Sequence, residues 1–392
     1  MNTKTMKSID NNLGFAICLL LDTVEKISKL FKTRKLVIHP RSFLLIKFFG
    51  MGSIILGTPM YKAIKSKYPN SKITFLTFAN NKPLLERIDF VDEIICLRTS
   101  KIRHFAADLL AAITKLRKKN IDVVIDMEFL AKASTIISWL SGAKIRIGFY
   151  VKQIWRADIL THKVYFNHYK HTKEIFMALL LPLEIPNLSS TQITPPKIFP
   201  ADLDELQKQL DVCGFSLADN LIAININASE TCFERRWPIE NFIKLVNELS
   251  LRENIRFCFI GAQSELPYVK SGYDKLNAAV KKKAVNLCGK LSIGGAIALL
   301  SKAKLLITND SGPLHLASSM GIPTVSLFGP ETPALYGPLG DGHTIFYDGD
   351  LYCSPCLNVY NVKTVICKGD NECMRRIPVD KVRDAVINKL RN

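Results

Sequence analysis

The residues best equipped for chemistry lie between 305 and 330, where the chain reads L-L-I-T-N-D-S-G-P-L-H-L-A-S-S-M-G-I-P-T-V-S-L-F-G-P. An apolar, strand-like run delivers Asn309 and Asp310 to its end. Ser311, Gly312 and Pro313 then open a helical pattern that carries His315. In open α/β sheets ligands collect at the carboxyl ends of the strands. Unpaired N–H groups at a helix start attract anions, and a glycine there lets a ligand approach closely. Asp310 is suited to accept hydrogen bonds from sugar hydroxyls. Helix capping alone accounts for Asp310, Ser311 and Pro313, but not for His315 or for Gly329 and Pro330 after the next strand. The segment reads as a binding loop for an anionic, hydroxyl-rich ligand.

Such a loop needs a sheet behind it, and the surrounding pattern supplies two. Short apolar runs at 43–48, 73–77, 93–97 and 123–126 read as strands, with helical patterns at 54–67 and 105–118 between them. A second series has strands at 221–226, 256–260, 285–287, 305–308 and 323–328, and helices at 241–252, 293–302 and 314–320. Residues 191–200, with three prolines, read as the linker. Alternation of this kind implies parallel, doubly wound α/β domains. The expected organisation is an N-terminal segment (1–40), an N-terminal Rossmann-like domain (41–190), a C-terminal one (201–376) facing it across a cleft, and a closing helix (377–392).

Bulk composition narrows the partners. Apolar residues make up 48% and charged residues 22%, as in an ordinary folded protein. The net charge of +18 favours anionic partners, namely phosphorylated substrates or a membrane face. Nucleic acid is not expected, because no zinc-finger spacing or aromatic-basic signature accompanies the charge. Ten scattered cysteines do not make a secreted disulfide scaffold, and a reducing cytoplasm suits them. Cys353, Cys356, Cys367 and Cys373 are the exception: their C-x2-C-x10-C-x5-C spacing can close a structural zinc site, or a compact loop of thiols.

Near the N-terminus the apolar run 13–21 is too short to span a bilayer, which takes roughly 20 residues, and lacks a small-residue cleavage site. Leu13, Ile17, Leu20, Val24, Ile27 and Phe31 recur at helical spacing, with Lys26, Lys29, Lys32, Arg34 and Lys35 among or after them. Two readings follow: a helix on the inner, anionic face of the cytoplasmic membrane, or a helix packed on the protein's own core.

The 305–330 segment closely resembles the signature of glycosyltransferase family 9, the lipopolysaccharide heptosyltransferases. So do L-L-I-K-F-F-G-M-G-S-I-I-L-G-T-P at 44–59, R-R-W-P at 235–238, I-G-A-Q-S-E at 260–265 and L-C-G-K-L-S at 287–292. The matches run in the family's order from about 43 to 376. The resemblance implies a GT-B fold and inverting transfer of heptose from ADP-heptose to a lipopolysaccharide core or other lipid-linked saccharide, with no obligatory cofactor. It places the donor at Asp310, Ser311, Gly312, His315, Arg235 and Glu265. Arg235 stands where a phosphate-binding Lys is usual, and a planar fork replaces a point charge there.

One position departs from the family's pattern. The N-terminal loop reads Gly52-Ser53 where the resemblance leads one to expect Gly-Asp, the Asp being the general base. A serine hydroxyl does not hold a proton near neutrality unless another group takes it on; Ser53 also suits a helix N-cap. Asp126 and Glu128, two apart after a strand and so expected on one side, are the candidate replacements. Lys132 and His171, with Gly52, are the expected acceptor-binding residues, and Phe149 and Tyr150 would line the same side. A non-catalytic nucleotide-sugar-binding homologue and a nucleotide-sugar 2-epimerase are the alternatives.

Overall fold

The computed structural model describes residues 3–31, 39–186, 192–228, 232–252, 254–361, 367 and 370–391. The chain divides into two compact units, Met1–Ile193 and Thr194–Asn392.

In the first unit six strands form one sheet: β1 (Ser42–Ile46), β2 (Lys72–Phe78), β3 (Glu93–Leu97), β4 (Val123–Asp126), β5 (Ile145–Tyr150) and β6 (His162–Tyr165). All neighbours are parallel, in the order β3-β2-β1-β4-β5-β6. The second unit repeats the plan with β7 (Asn220–Asn225), β8 (Ile255–Phe259), β9 (Ala284–Asn286), β10 (Leu305–Asn309), β11 (Thr324–Leu327) and β12 (His343–Phe346). Its order, β12-β11-β10-β7-β8-β9, is the same winding seen from the other edge. The central strands are apolar on both faces because helices cover both; all five residues of β10 are buried. In each sheet the winding reverses between the first and fourth strands, which opens a crevice at their carboxyl ends.

Three strands lie outside the apolar runs of the sequence. Arg146 and Gly148 interrupt β5, while β6 and β12 are short, polar edge strands whose pattern is weak for the same reason that it protects an edge. The helix expected at 54–67 is two, Met51–Leu56 and Thr58–Lys67, joined at Gly57. A side chain at Gly57 would collide with the Tyr61 hydroxyl and the Met127 methyl. The division between the two units falls within the stretch expected as linker, whose last residue, Pro200, already opens the helix Pro200–Asp211.

The second unit's core centres on Trp237, which is fully buried. Its ring meets Phe242 edge-on at 4.9 Å and its Nε1–H donates to the Ile377 carbonyl at 3.1 Å. Its backbone N–H donates to Asn309 Oδ1 at 3.0 Å, tying the core to the end of β10. Trp237→Ala is expected to cost about 3–5 kcal/mol, read as a lower denaturant midpoint in the circular-dichroism transition, while Trp237→Phe retains most of it.

Candidate active site

The end of β10 is a polar network built on asparagine. Asn309 Nδ2 donates to the carbonyls of Ile226 and Asn227 at 3.0 and 3.2 Å. Asn225 Nδ2, at the end of β7, donates to Ser311 Oγ at 2.8 Å and Thr308 Oγ1 at 3.2 Å. Ser311 Oγ is thereby turned toward the sheet and makes no cap on the helix Gly312–Ser319 that it precedes. In the first turn Pro313 carries no N–H and the Leu314 N–H donates to the Ser311 carbonyl at 3.2 Å, so the Gly312 N–H is the group at a helix start that no side chain caps.

Asp310 and Arg235 are brought together here. Arg235 Nη1 lies 3.1 Å from Asp310 Oδ2, with the side chains only 14% and 5% exposed. Burial pulls the guanidinium's pKa down, but the nearby Asp310 and Glu331 carboxylates outweigh it and hold the value above the ordinary one. Glu331, itself buried, follows Gly329 and Pro330 after β11. The sequence reading missed it, although an acid directly after a Gly-Pro turn at a strand's end was the available signal. His315 is buried one turn into the helix, its ring 6.2 Å from that of Tyr336. Glu265 Oε2 accepts the Ala262 N–H at 2.7 Å in the turn after β8. Beside the Arg235 turn, Arg236 is stacked between the rings of Tyr268 and Phe233, at 3.9 and 4.4 Å. The ensemble presents one anion-binding helix start, one guanidinium with two carboxylates, and hydroxyl acceptors.

The first sheet's crevice lies between β1 and β4, where Ile46 pairs with Asp126. Asp126 and Glu128 both end up buried, but they do different things. Glu128 Oε1 accepts the N–H groups of Phe48 and Phe49 at 2.6 and 3.1 Å, and its Oε2 is 3.1 Å from Lys47 Nζ. The Lys47 ammonium also lies 5.0 Å from the Phe129 ring centre. Asp126 points elsewhere: its Oδ2 accepts from the Ser134 hydroxyl at 2.8 Å and meets Arg156 Nη1 at 3.3 Å, while its Oδ1 accepts the Glu128 N–H at 3.0 Å. Burial drives the Asp126 carboxyl up to about 6, against the pull of Arg156 and Ser134. Neither Lys47 nor Arg156 was singled out from sequence. Lys47 directly follows a buried strand, a legible signal; Arg156 sits in an irregular stretch and carries none.

Gly52 is buried and Ser53 half-buried on the helix Met51–Leu56. The N-cap of that helix is Gly50, at φ +84°, and not Ser53, which lies three residues further on. Lys132 opens the helix Lys132–Leu140, where its N–H and that of Ala133 donate to Asp10 at 3.1 and 2.6 Å. His171 is a helix N-cap, its Nδ1 accepting the Lys173 N–H at 3.2 Å. Phe149 is buried in an aromatic cluster with Phe129, Phe166 and Phe176 and lines no surface. Tyr150 is half-buried, its ring 5.3 Å from that of Tyr165.

The zinc expectation finds no support: among the described residues no group of three or more His, Cys, Asp or Glu is placed to hold a metal. Cys353 is exposed and Cys373 buried, so the thiols sit at different depths. Asn371 also stands among them, its N–H donating to Cys367 Sγ at 3.2 Å and its Oδ1 accepting from Cys373 Sγ at 3.7 Å.

Two parallel, doubly wound units with ligand-binding loops at their reversal points define the GT-B class of glycosyltransferases. The chain belongs to glycosyltransferase family 9, the heptosyltransferase family, whose model matches residues 109–365. It is 24% identical over 314 residues to lipooligosaccharide heptosyltransferase 2 of Haemophilus influenzae, covering 78% of this chain and 88% of that one. The family 9 glycosyltransferase structure from Veillonella parvula superposes with a TM-score of 0.74 at 22% identity, over 91% of this chain and 99% of that one. An Escherichia coli heptosyltransferase solved with ADP-2-deoxy-2-fluoro heptose superposes with a TM-score of 0.64 at 16% identity, over 88% and 99% of the two chains.

The raised pKa of Asp126 has a pH consequence. The folded protein takes up this proton near pH 6, whereas the unfolded chain takes it up near 3.8, so this group favours folding most at low pH and progressively less as pH rises between those values. Asp126→Asn should therefore gain stability relative to the wild type from about pH 4 to 7. Denaturant midpoints measured across that range test it; a constant difference would show that Arg156 cancels the effect of burial.

Proposed function

We propose that this glycosyltransferase moves a heptose, or a similar sugar, from an ADP-sugar to a hydroxyl of a lipopolysaccharide core or other lipid-linked saccharide, inverting the anomeric centre. The observation that carries the reading is the buried Arg235–Asp310 pair beside an uncapped eight-residue helix start at the second sheet's reversal point. Donor diphosphate would meet the Ser311 and Gly312 N–H groups and the Arg235 fork, with Asp310 and His315 toward the sugar and Glu265 toward the ribose. The carbon–oxygen bond to the diphosphate breaks as the acceptor oxygen bonds to the anomeric carbon. Charge accumulates on departing ADP, where the guanidinium and the helix start stabilise it. The sugar and acceptor named for the relatives support this reading.

The acceptor proton is the open element, because the loop carries Ser53. Glu128 and Asp126 are the carboxylates available: Glu128 is engaged by the Phe48 and Phe49 N–H groups and the Lys47 ammonium, and Asp126 by Ser134 and Arg156. We assign Glu128 the fixing of the loop after β1, with Asp126 and Arg156 behind it. The proton then leaves late, to water, once bonding at the anomeric carbon has acidified it.

Two measurements decide this. Purified protein, ADP-heptose and a heptose-deficient lipopolysaccharide acceptor should give ADP and extended acceptor. Arg235→Ala should weaken donor binding at least about tenfold, the loss of roughly 1.4 kcal/mol or more expected for a charge-assisted contact. Donor binding with no transfer to any acceptor would point to the non-catalytic reading, and an epimerised sugar from donor alone would establish the epimerase.

Glu128→Gln keeps an acceptor oxygen for the two N–H groups and is expected to retain much of kcat. Glu128→Ala strands the Lys47 ammonium, 3% exposed, and should cost about 3–5 kcal/mol of stability. Loss of kcat by several orders of magnitude in Glu128→Gln, with its fold intact, would make Glu128 the base after all.

A further inference from the structure

The helix Thr3–Phe31 lies outside the matched family region and packs on the helix Lys132–Leu140. It is fixed there at several points. Asp10 takes the Lys132 and Ala133 N–H groups, and Asp22 Oδ1 accepts the Asp158 N–H at 2.6 Å. Glu25 meets Arg146 at 2.7 Å and accepts from Trp139 Nε1 at 2.8 Å. Cys18 and Leu21 fill an apolar patch with Ile136 and Ile159. A helix held this way is a rigid part of its unit, and its outward side should be polar.

It is not. Leu13, Phe15, Leu19, Leu20, Val24 and Ile27 are between 40% and 64% exposed. At 100° per residue they spread over about half the helix circumference, opposite the docked side. Of the stripe read from the sequence, Leu13, Leu20, Val24 and Ile27 face outward, while Ile17 packs against the docked patch. Only Lys26, Thr23 and Asn12 break the exposed arc along this length. At one flank Trp155, 41% exposed, lies 5.1 Å from Phe15 ring to ring, an aromatic pair of the kind favoured at lipid headgroups.

We propose that this outward face is a docking surface for an anionic lipid bilayer, on which the first unit lies with the helix parallel to the membrane plane. Charge selects lipid over a second copy of the chain. In sequence, Lys4 and Lys7 precede the exposed residues, Lys26 lies among them and Lys29, Lys32, Arg34 and Lys35 follow, in a protein of net charge +18. Face-to-face self-association would bring like charges together, whereas anionic headgroups neutralise them. Among the described residues no helix is long and apolar enough to cross a membrane, so the contact is one of lying on the surface. The inference stands on the helix and not on the sugar-transfer reading.

The test is flotation of the full chain with vesicles of phosphatidylcholine alone or mixed with phosphatidylglycerol. The wild type should float with the mixed vesicles, less so at high salt. Leu20→Glu/Ile27→Glu should lower partitioning at least about tenfold, since two apolar contacts are lost and two negative charges gained. Leu251→Glu, a control at an 86% exposed leucine of the second unit, should bind as the wild type. Should the double variant's thermal midpoint fall, Leu13→Ser/Leu20→Ser replaces it with the same expected loss. Failure of the wild type to float, or unchanged flotation of a folded variant, overturns the proposal. So does a wild-type dimer that these substitutions dissociate without any vesicle binding. Donor binding, measured separately by thermal shift with ADP-heptose, reports on the sugar-transfer reading alone.

Discussion

At each sheet's reversal point a buried carboxylate stands against a buried cation, and the loops around both crevices take their shape from those pairs. In the first unit the pairs are Asp126 with Arg156 and Glu128 with Lys47; in the second, Asp310 with Arg235. Burial disfavours charges of this kind, and each has an oppositely charged partner within reach; Glu128 and Asp126 accept N–H or hydroxyl donors besides. The two units use the pairs differently. Glu128 is spent on its own backbone, where it gathers two N–H groups and an ammonium. Asp310 and Arg235 sit beside a helix start that no side chain caps.

This difference explains why the grouping at the second sheet's reversal point, the proposed donor side, was legible in the sequence and that at the first, the proposed acceptor side, much less so. Asp310, Ser311, Gly312 and His315 lie within one strand–turn–helix, so their proximity follows from local geometry. Arg235 joins them through a separate turn, fixed by the Trp237 N–H on Asn309. Only the family resemblance pointed to it. On the acceptor side, the two-residue spacing of Asp126 and Glu128 suggested a shared direction, but the chain leaves β4 at Asp126 and turns. Leu130, at φ +75°, completes that turn, and the two carboxylates face different partners.

The same contrast holds for the fold. Central strands, buried on both sides, announced themselves as apolar runs, and the alternation with helices gave the doubly wound plan. Strands β6 and β12 at the sheet edges lack that signal because they are short and partly solvated. The N-terminal helix was read as either membrane-facing or core-packed on the strength of one apolar stripe. The structure holds two faces: a docked side rich in buried acids, which a hydrophobic pattern does not reveal, and an exposed apolar side, which it does.

Asp10 carries a further implication for the acceptor. The start of the helix Lys132–Leu140 is a natural seat for an anion, and this chain fills it with a carboxylate of its own. An acceptor phosphate directed to that seat would compete with a rival that is tethered, already oriented and present at an effective concentration no dissolved ligand reaches. On the function proposed above, the same helix would act as a filter, leaving an acceptor bound by the first unit to be recognised by hydroxyls, or by charge carried elsewhere on the saccharide.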